Sequence, residues 1–198
     1  MKQLLLGALA GAVILFVWGF LAWAVLPLHK ASFRPVPNED AVVSALGGNI
    51  GTGGVYYFPG IPEETANTSA EQRKANMDAY VHKHQAGPIG VVMFHPGGAD
   101  PMMAGQFIGG FIIYLIAAFI ASWFLSRSTA AGSTYIARVA FCGTLGVFVS
   151  FAAHLPAMNW TYFPMDYTTA MVADALIGWL LAGLALAAIV KAPKMQGA

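Results

Sequence analysis

The sequence predicts a membrane protein of the all-α class: a bundle of four transmembrane helices with a small α+β domain inserted between helices 1 and 2. Of the 198 residues, 58% are hydrophobic and only 10% are charged, whereas about 25% are charged in a typical soluble protein. Long uncharged runs alternate with polar segments, and the longest polar segment holds most of the charged residues. Because water could not accommodate so much apolar surface, we expect most of the chain to lie in lipid.

Four apolar runs are the predicted membrane spans. The first, Leu4–Leu28, is longer than the apolar core of a signal peptide, which has about 7–15 residues, so we expect it to remain uncleaved. The others are Met103–Leu125, Val139–His154 and Ala170–Val190. The loop before the last span, Pro156–Thr169, is rich in aromatic residues, as is typical of a membrane interface.

The polar insert, residues 29–104, lies between a first part, residues 1–28, and a last part, residues 105–198, which holds three spans and a short C-terminal tail. Its pattern of apolar, β-branched and turn-forming residues predicts two helices and two strands. These are Glu39–Leu46, Val55–Phe58, Ala70–His84 and Ile89–Phe94. A two-stranded ribbon is only marginally stable by itself, so we expect this domain to pack on the membrane helices or on a partner.

Charge predicts the orientation of the chain in the membrane. The short segments on one side of the predicted bundle carry Lys and Arg but no acid, whereas the short loop on the other side carries Asp166 and no Lys or Arg. By the positive-inside rule we expect both termini in the cytoplasm and residues 29–104 in the periplasm or outside the cell. The membrane would be a bacterial inner or plasma membrane. The basic residues are Lys2, Arg127, Arg138, Lys191 and Lys194.

His154 and Asp174 form a candidate intramembrane polar pair. Both are predicted about one turn inside the outer boundary of adjoining spans, where an ionisable group costs roughly 2.5–3.5 kcal/mol on insertion scales. Gln106, Asn159 and His29 are expected at the same level, so they complete a possible pocket that faces outward. The alternatives for the pair are a structural clamp between helices or side chains that reach interfacial water, a proton or solute path, and a cofactor or quinone pocket.

A second, weaker candidate is a metal site in the insert, formed by His82, His84, His95 and Met93. Imidazoles and thioethers outside the cytoplasm suit copper, and imidazoles alone suit zinc. His82 and His84 are two positions apart on a predicted helix and so point about 200° from each other. They could bind one ion only if the helix were frayed there. Solvated surface histidines are the simpler interpretation, and the sequence requires no cofactor.

Glycines on the spans predict close packing of helices. Gly105 and Gly109 have the four-residue spacing that leaves a flat face on the second span, where another helix can approach. The third and fourth spans carry further small residues at Gly143, Gly146 and Gly178, and we expect these to lie at helix interfaces as well.

The sequence favours a non-enzymatic function, because it contains no catalytic triad, zinc-protease motif or paired carboxylates at usable spacing. A net charge of +1 leaves no clustered basic face for nucleic acid. We therefore expect the partners to be the lipid bilayer and other membrane subunits. The chain would be an accessory or assembly subunit that presents its outer domain within a larger envelope or respiratory complex. The alternatives are a periplasmic copper- or zinc-handling protein, and a small proton-coupled transporter or channel that uses His154 and Asp174.

Overall fold

The computed structural model describes residues 1–129 and 134–191. Residues 192–198, which include Lys194 and most of the predicted C-terminal tail, lie outside the described residues. The elements are α1 Lys2–Phe20, α2 Glu39–Asn49, β1 Gly54–Phe58, α3 Ala70–Ala86, β2 Gly90–Phe94, α4 Ala104–Arg127, α5 Tyr135–Val149, α6 Leu155–Thr161 and α7 Met165–Ile189. One π-helical turn, Leu21–Val25, continues α1, and another, Ser150–His154, joins α5 to α6.

The described chain divides into two compact units. The bundle unit comprises Met1–Arg34 and Asp100–Ala198, and the insert unit comprises Pro35–Ala99. Residues 29–34, which the sequence assigns to the insert, belong to the bundle unit because the turn that contains them is bonded to the start of α7.

Among the described residues, four helices of the bundle unit are long and apolar enough to cross a membrane, the same number of candidate spans as the sequence predicts. They are Lys2–Val25, Ala104–Arg127, Tyr135–Thr161 and Met165–Ile189. The first ends before the predicted Leu28, because Pro27 disfavours helical backbone in the residue that precedes it. Leu26 is accordingly extended.

The prediction of an aromatic loop over Pro156–Thr169 is wrong for most of these residues. Residues up to Thr161 belong to α6, and α7 already begins at Met165. Pro156 does not end the helix: it follows the π-helical turn, in which the N–H of Leu155 donates to the carbonyl of Ser150, and helical backbone continues to Thr161. Between the two helices, Tyr162 has a left-handed backbone with φ of 58°.

Small residues allow the spans to approach closely: α5 packs along α7, and α1 packs on both α4 and α7. A Cβ added at Gly146 would lie 2.8 Å from the backbone oxygen of Ala175. One at Gly143 would lie 2.7 Å from a leucine of α7, and one at Gly178 would lie 3.0 Å from Trp18. The backbones of α5 and α7 therefore approach closely at Gly146, whereas Gly143 and Gly178 leave room for side chains of the neighbouring helices.

The glycine pair on α4 behaves differently. No described atom lies within 4 Å of a Cβ added at Gly109, and one at Gly105 would meet only Met103. The structure therefore does not bring Gly105 and Gly109 to a helix interface within the described chain.

The insert unit contains α2, α3 and an antiparallel ribbon of β1 and β2, in which Gly54 pairs with Phe94 and Phe58 with Gly90. Helix α3 begins where Ser69 accepts a hydrogen bond from the backbone of Gln72, an N-cap. None of residues 35–99, all of which the structure describes, is buried. Regular secondary structure has thus formed here without a hydrophobic core.

Candidate functional site

Asp174 lies deep in the fourth span. It is about 13 Å along the helix axis from Met165, the first residue of α7. This is deeper than the single turn that the sequence predicts, because α7 begins before Ala170. The side chain of Asp174 is 21% exposed. A carboxylate in such surroundings needs hydrogen-bond donors, since burying an unpaired charge is strongly unfavourable.

Two tryptophans of the first span supply those donors. Nε1 of Trp18 donates to Oδ1 of Asp174 at 2.6 Å, and Nε1 of Trp23 donates to Oδ2 at 3.3 Å. The Trp18 indole also lies 3.2 Å from the backbone oxygen of Asp174. An indole N–H is a neutral donor. The two tryptophans therefore solvate the carboxylate without cancelling its charge.

The π-helical turn Leu21–Val25 explains how both indoles reach one carboxylate. In a regular α-helix, residues five positions apart point about 140° from each other, so Trp18 and Trp23 would not share a face. In the π-helical turn the N–H of Leu26 donates to the carbonyl of Leu21 at 2.7 Å. The wider turn reduces the angle between the two tryptophans, and such turns occur frequently at functional sites.

His29 is buried beside the same carboxylate. Its side chain is 4% exposed, and its ring stacks on Trp23 with 3.9 Å between ring centroids. Nε2 of His29 lies 3.3 Å from Oδ2 of Asp174, an ion-pair distance, yet neither ring nitrogen makes a hydrogen bond within the described structure. The ring is held by its stack on Trp23 and makes no directed hydrogen bond to Asp174. The contact between the two side chains is an ion pair only when His29 is protonated.

The turn that carries His29 is held against the start of α7. Oγ of Ser32 donates to the backbone oxygen of Asp166 at 3.3 Å. The guanidinium of Arg34 forms an ion pair with the carboxylate of Asp166. These two contacts keep the turn folded back toward the bundle and so keep the imidazole next to the partly buried carboxylate of Asp174.

A cavity of about 200 Å³ opens beside Asp174. His154, the last residue of the second π-helical turn, lines this cavity together with Asp174. The structure thus brings the predicted polar pair to one cavity, although no hydrogen bond or ion pair joins the two side chains in the part of the chain that is described. Three aromatic residues also line it: Trp18, Tyr114 and Trp179.

No protein-family model matches the chain, and neither does any curated protein or solved structure. The chemistry of the site is therefore inferred from its own residues. Sequence patterns did not identify Tyr114 and Trp179 as part of it, because aromatic residues are common throughout the spans. An acid at Asp174 within an apolar run was the signal that identified the site.

Gln106 and Asn159, which are predicted at the level of the polar pair, do not join the cavity. Both are exposed, and neither lines it. His29 contacts the carboxylate without lining the cavity. Of the three residues predicted to complete the pocket, His29 is the one that the structure places in contact with Asp174.

The residues of the predicted metal site are not gathered around one point. In residues 1–129 and 134–191, no group of three or more His, Cys, Asp or Glu could hold a metal ion. Helix α3 is regular through His82 and His84, so the fraying that joint ligation would need is not observed. Nδ1 of His95 lies 2.6 Å from the carbonyl oxygen of Gly97, and Met93 is 72% exposed.

The opposite end of the bundle contains a buried cation. Arg138, predicted in a hydrophilic connection, lies instead in the first turn of α5 and is 6% exposed. Its Nε donates to the carbonyl of Ala187 at 3.0 Å. The last carbonyls of a helix lack partners within the helix, and a guanidinium satisfies one of them here. Arg138 therefore links the start of α5 to the end of α7.

Proposed function

We propose that the protein is a non-enzymatic membrane subunit that presents its insert unit to a partner protein within a larger membrane complex. The observation that carries the proposal is the absence of a core in residues 35–99, a fully described segment in which no residue is buried. Burial of apolar surface is the main force that stabilises a folded domain. A unit of this size in which no residue is fully buried is expected to bury its apolar side chains against a second surface.

Apolar side chains are exposed on every element of the insert unit. Examples are Val43 on α2, Val55 on β1, Met77 on α3 and Met93 on β2. Covering such groups contributes about 25 cal/mol per Å² of apolar surface. Val55 and Met93 are paired across the ribbon and are both exposed, so they form one contiguous apolar patch, a feature that marks protein-binding surfaces.

The ribbon supports the same interpretation. In the described chain its sheet has two strands, so β1 and β2 are both edge strands. An edge strand offers backbone donors and acceptors to a further strand. A partner could therefore extend the sheet as well as cover its side chains.

The proposal includes an orientation with both termini in the cytoplasm and the insert unit in the periplasm or outside the cell. The distribution of basic residues between the short connections supports it. Of the alternatives, metal handling has no supporting geometry among the described residues. Transport of protons or a solute is supported by one observation, the cavity that His154 and Asp174 share.

The native mass of gently solubilised protein tests the proposal. We expect the wild-type chain to migrate together with other, unrelated chains. The double variant Met77→Glu and Val81→Glu places two charges on the apolar face of α3, where both side chains are exposed, and should release the protein from the complex. The matched control, Ala75→Glu and Ala79→Glu, has the same charge and spacing on another face of the same helix, and should remain bound.

Two outcomes would overturn the proposal. One is a wild-type protein that migrates as a monomer under every mild condition of solubilisation. The other is an equal loss of the complex in both double variants, since this would show that added charge on α3, rather than loss of its apolar face, causes the effect. Thermal unfolding of the bundle unit, measured alongside, should be the same in all three proteins.

A further inference from the structure

We infer that the cavity beside Asp174 is a binding site for a small organic ammonium ion. Its wall combines the carboxylate of Asp174 with the aromatic side chains of Trp18, Tyr114 and Trp179. The carboxylate attracts a cation by its charge, and aromatic rings attract it through their quadrupole. This combination recognises alkylammonium groups, including those without an N–H to donate.

Among the described residues, the carboxylate of Asp174 has no permanently charged counter-ion. Its hydrogen-bond donors, the indoles of Trp18 and Trp23, are neutral. His29 supplies a positive charge only when protonated. Within the described ranges, no Lys or Arg lies at ion-pair distance from Asp174, and Arg34 is paired with Asp166. A cation in the cavity would therefore neutralise the carboxylate, where the low dielectric strengthens their attraction.

The size of the cavity restricts the ligand. About 200 Å³ is the space that about six or seven water molecules occupy in the liquid, at about 30 Å³ each. Pockets for drug-sized ligands have about 300–1,000 Å³, so a quinone ring with its tail is too large. Tetramethylammonium and choline have the right size, and the apolar side chains of Leu15 and Met171, which also line the cavity, suit their methyl groups.

Titration of the purified full-length protein with choline chloride tests the inference through tryptophan fluorescence, because Trp18 and Trp179 line the cavity. The control ligand is 3,3-dimethyl-1-butanol, which has the shape of choline without its charge. Sodium chloride at equal ionic strength controls for screening. We expect a saturable change with choline and a much weaker one with the neutral alcohol. An equal response to both ligands, or no saturable response to choline, would overturn the inference.

Variants locate the binding to this cavity. Asp174→Asn should weaken choline binding roughly tenfold or more, because it removes an interaction between opposite charges. Asp100→Asn removes an acid of the same unit that does not line the cavity and should leave the affinity unchanged. Trp179→Leu retains the carboxylate and should weaken binding roughly threefold to tenfold, which keeps the test decisive if Asp174→Asn does not fold. Unchanged affinity in Trp179→Leu, or in a folded Asp174→Asn protein, would contradict the assignment.

The same ammonium chemistry could come from a free amine or from a lipid head group. Titration in nanodiscs of phosphatidylglycerol and of phosphatidylcholine distinguishes them. A response in both bilayers supports the site with a free amine as its ligand. If the response to choline occurs in phosphatidylglycerol and is lost in phosphatidylcholine, the choline head groups of that lipid already occupy the cavity. This outcome supports the site with a lipid head group as its ligand. A fluorescence change that follows pH alone, with no response to choline in either bilayer, would overturn the ammonium site and indicate a proton site.

Discussion

The bundle unit and the insert unit differ in where their apolar side chains lie. The bundle unit has a core in which Leu125, Leu186 and Val190 are fully buried. In the insert unit, which is described throughout, no side chain is buried. Exposed apolar residues on the bundle unit can be covered by lipid. For those on the insert unit, which include Val55 and Met77, we propose that a partner protein supplies the covering surface.

The largest difference should come from truncating one large apolar side chain in each unit. Leu186→Ala removes a fully buried side chain and should lower the free energy of unfolding by about 2–5 kcal/mol. Met77→Ala removes an exposed one and should change the stability of the isolated chain by less than about 0.5 kcal/mol. Thermal unfolding in detergent measures both. A comparable loss in both variants would mean that the insert unit has a core of its own.

A smaller difference is expected from adding one methyl group to a helical glycine in each unit. Gly146→Ala places a Cβ 2.8 Å from a backbone oxygen of α7 and should destabilise the bundle unit by about 1–3 kcal/mol. Gly47→Ala meets no described atom within 4 Å and should stabilise α2 by up to about 1 kcal/mol, because alanine favours helix over glycine. If both variants change the free energy of unfolding in the same direction, the difference in packing between the two units is contradicted.

The smallest effect concerns pH and the insert unit alone. The pKa of Glu71 is lowered from its ordinary value of 4.5, first by a hydrogen bond to its own backbone and then by one to Ser69. Because the folded state lowers this pKa, the stabilisation is present above pH 4.5 and is lost as the pH falls through the folded value. We expect the first turn of α3 to fray slightly on acidification, measured by NMR chemical shifts. Glu71→Gln should remove this dependence on pH.

The sequence was informative where a single residue or a long run determines the structure. Apolar length predicted four spans, and the position of Asp174 within such a run indicated the site. Features that depend on contacts distant in sequence could not be predicted. The π-helical turn that brings Trp18 and Trp23 to one carboxylate is an example, since no pattern of residue spacing indicates it. The turn after Pro27, which buries His29, is held by bonds to α7 and could not be predicted from the sequence either.

Amide hydrogen exchange on the full-length protein in detergent, alone and within its native complex, tests most directly the claim that the insert unit is completed by a partner. In the isolated chain, amides of α2 and α3 should exchange far faster than those of α5 and α7, because local opening is easy where no side chain is buried. In the complex, α3 should become protected while α7 changes little. Equal protection of α3 and α7 in the isolated chain would contradict the claim.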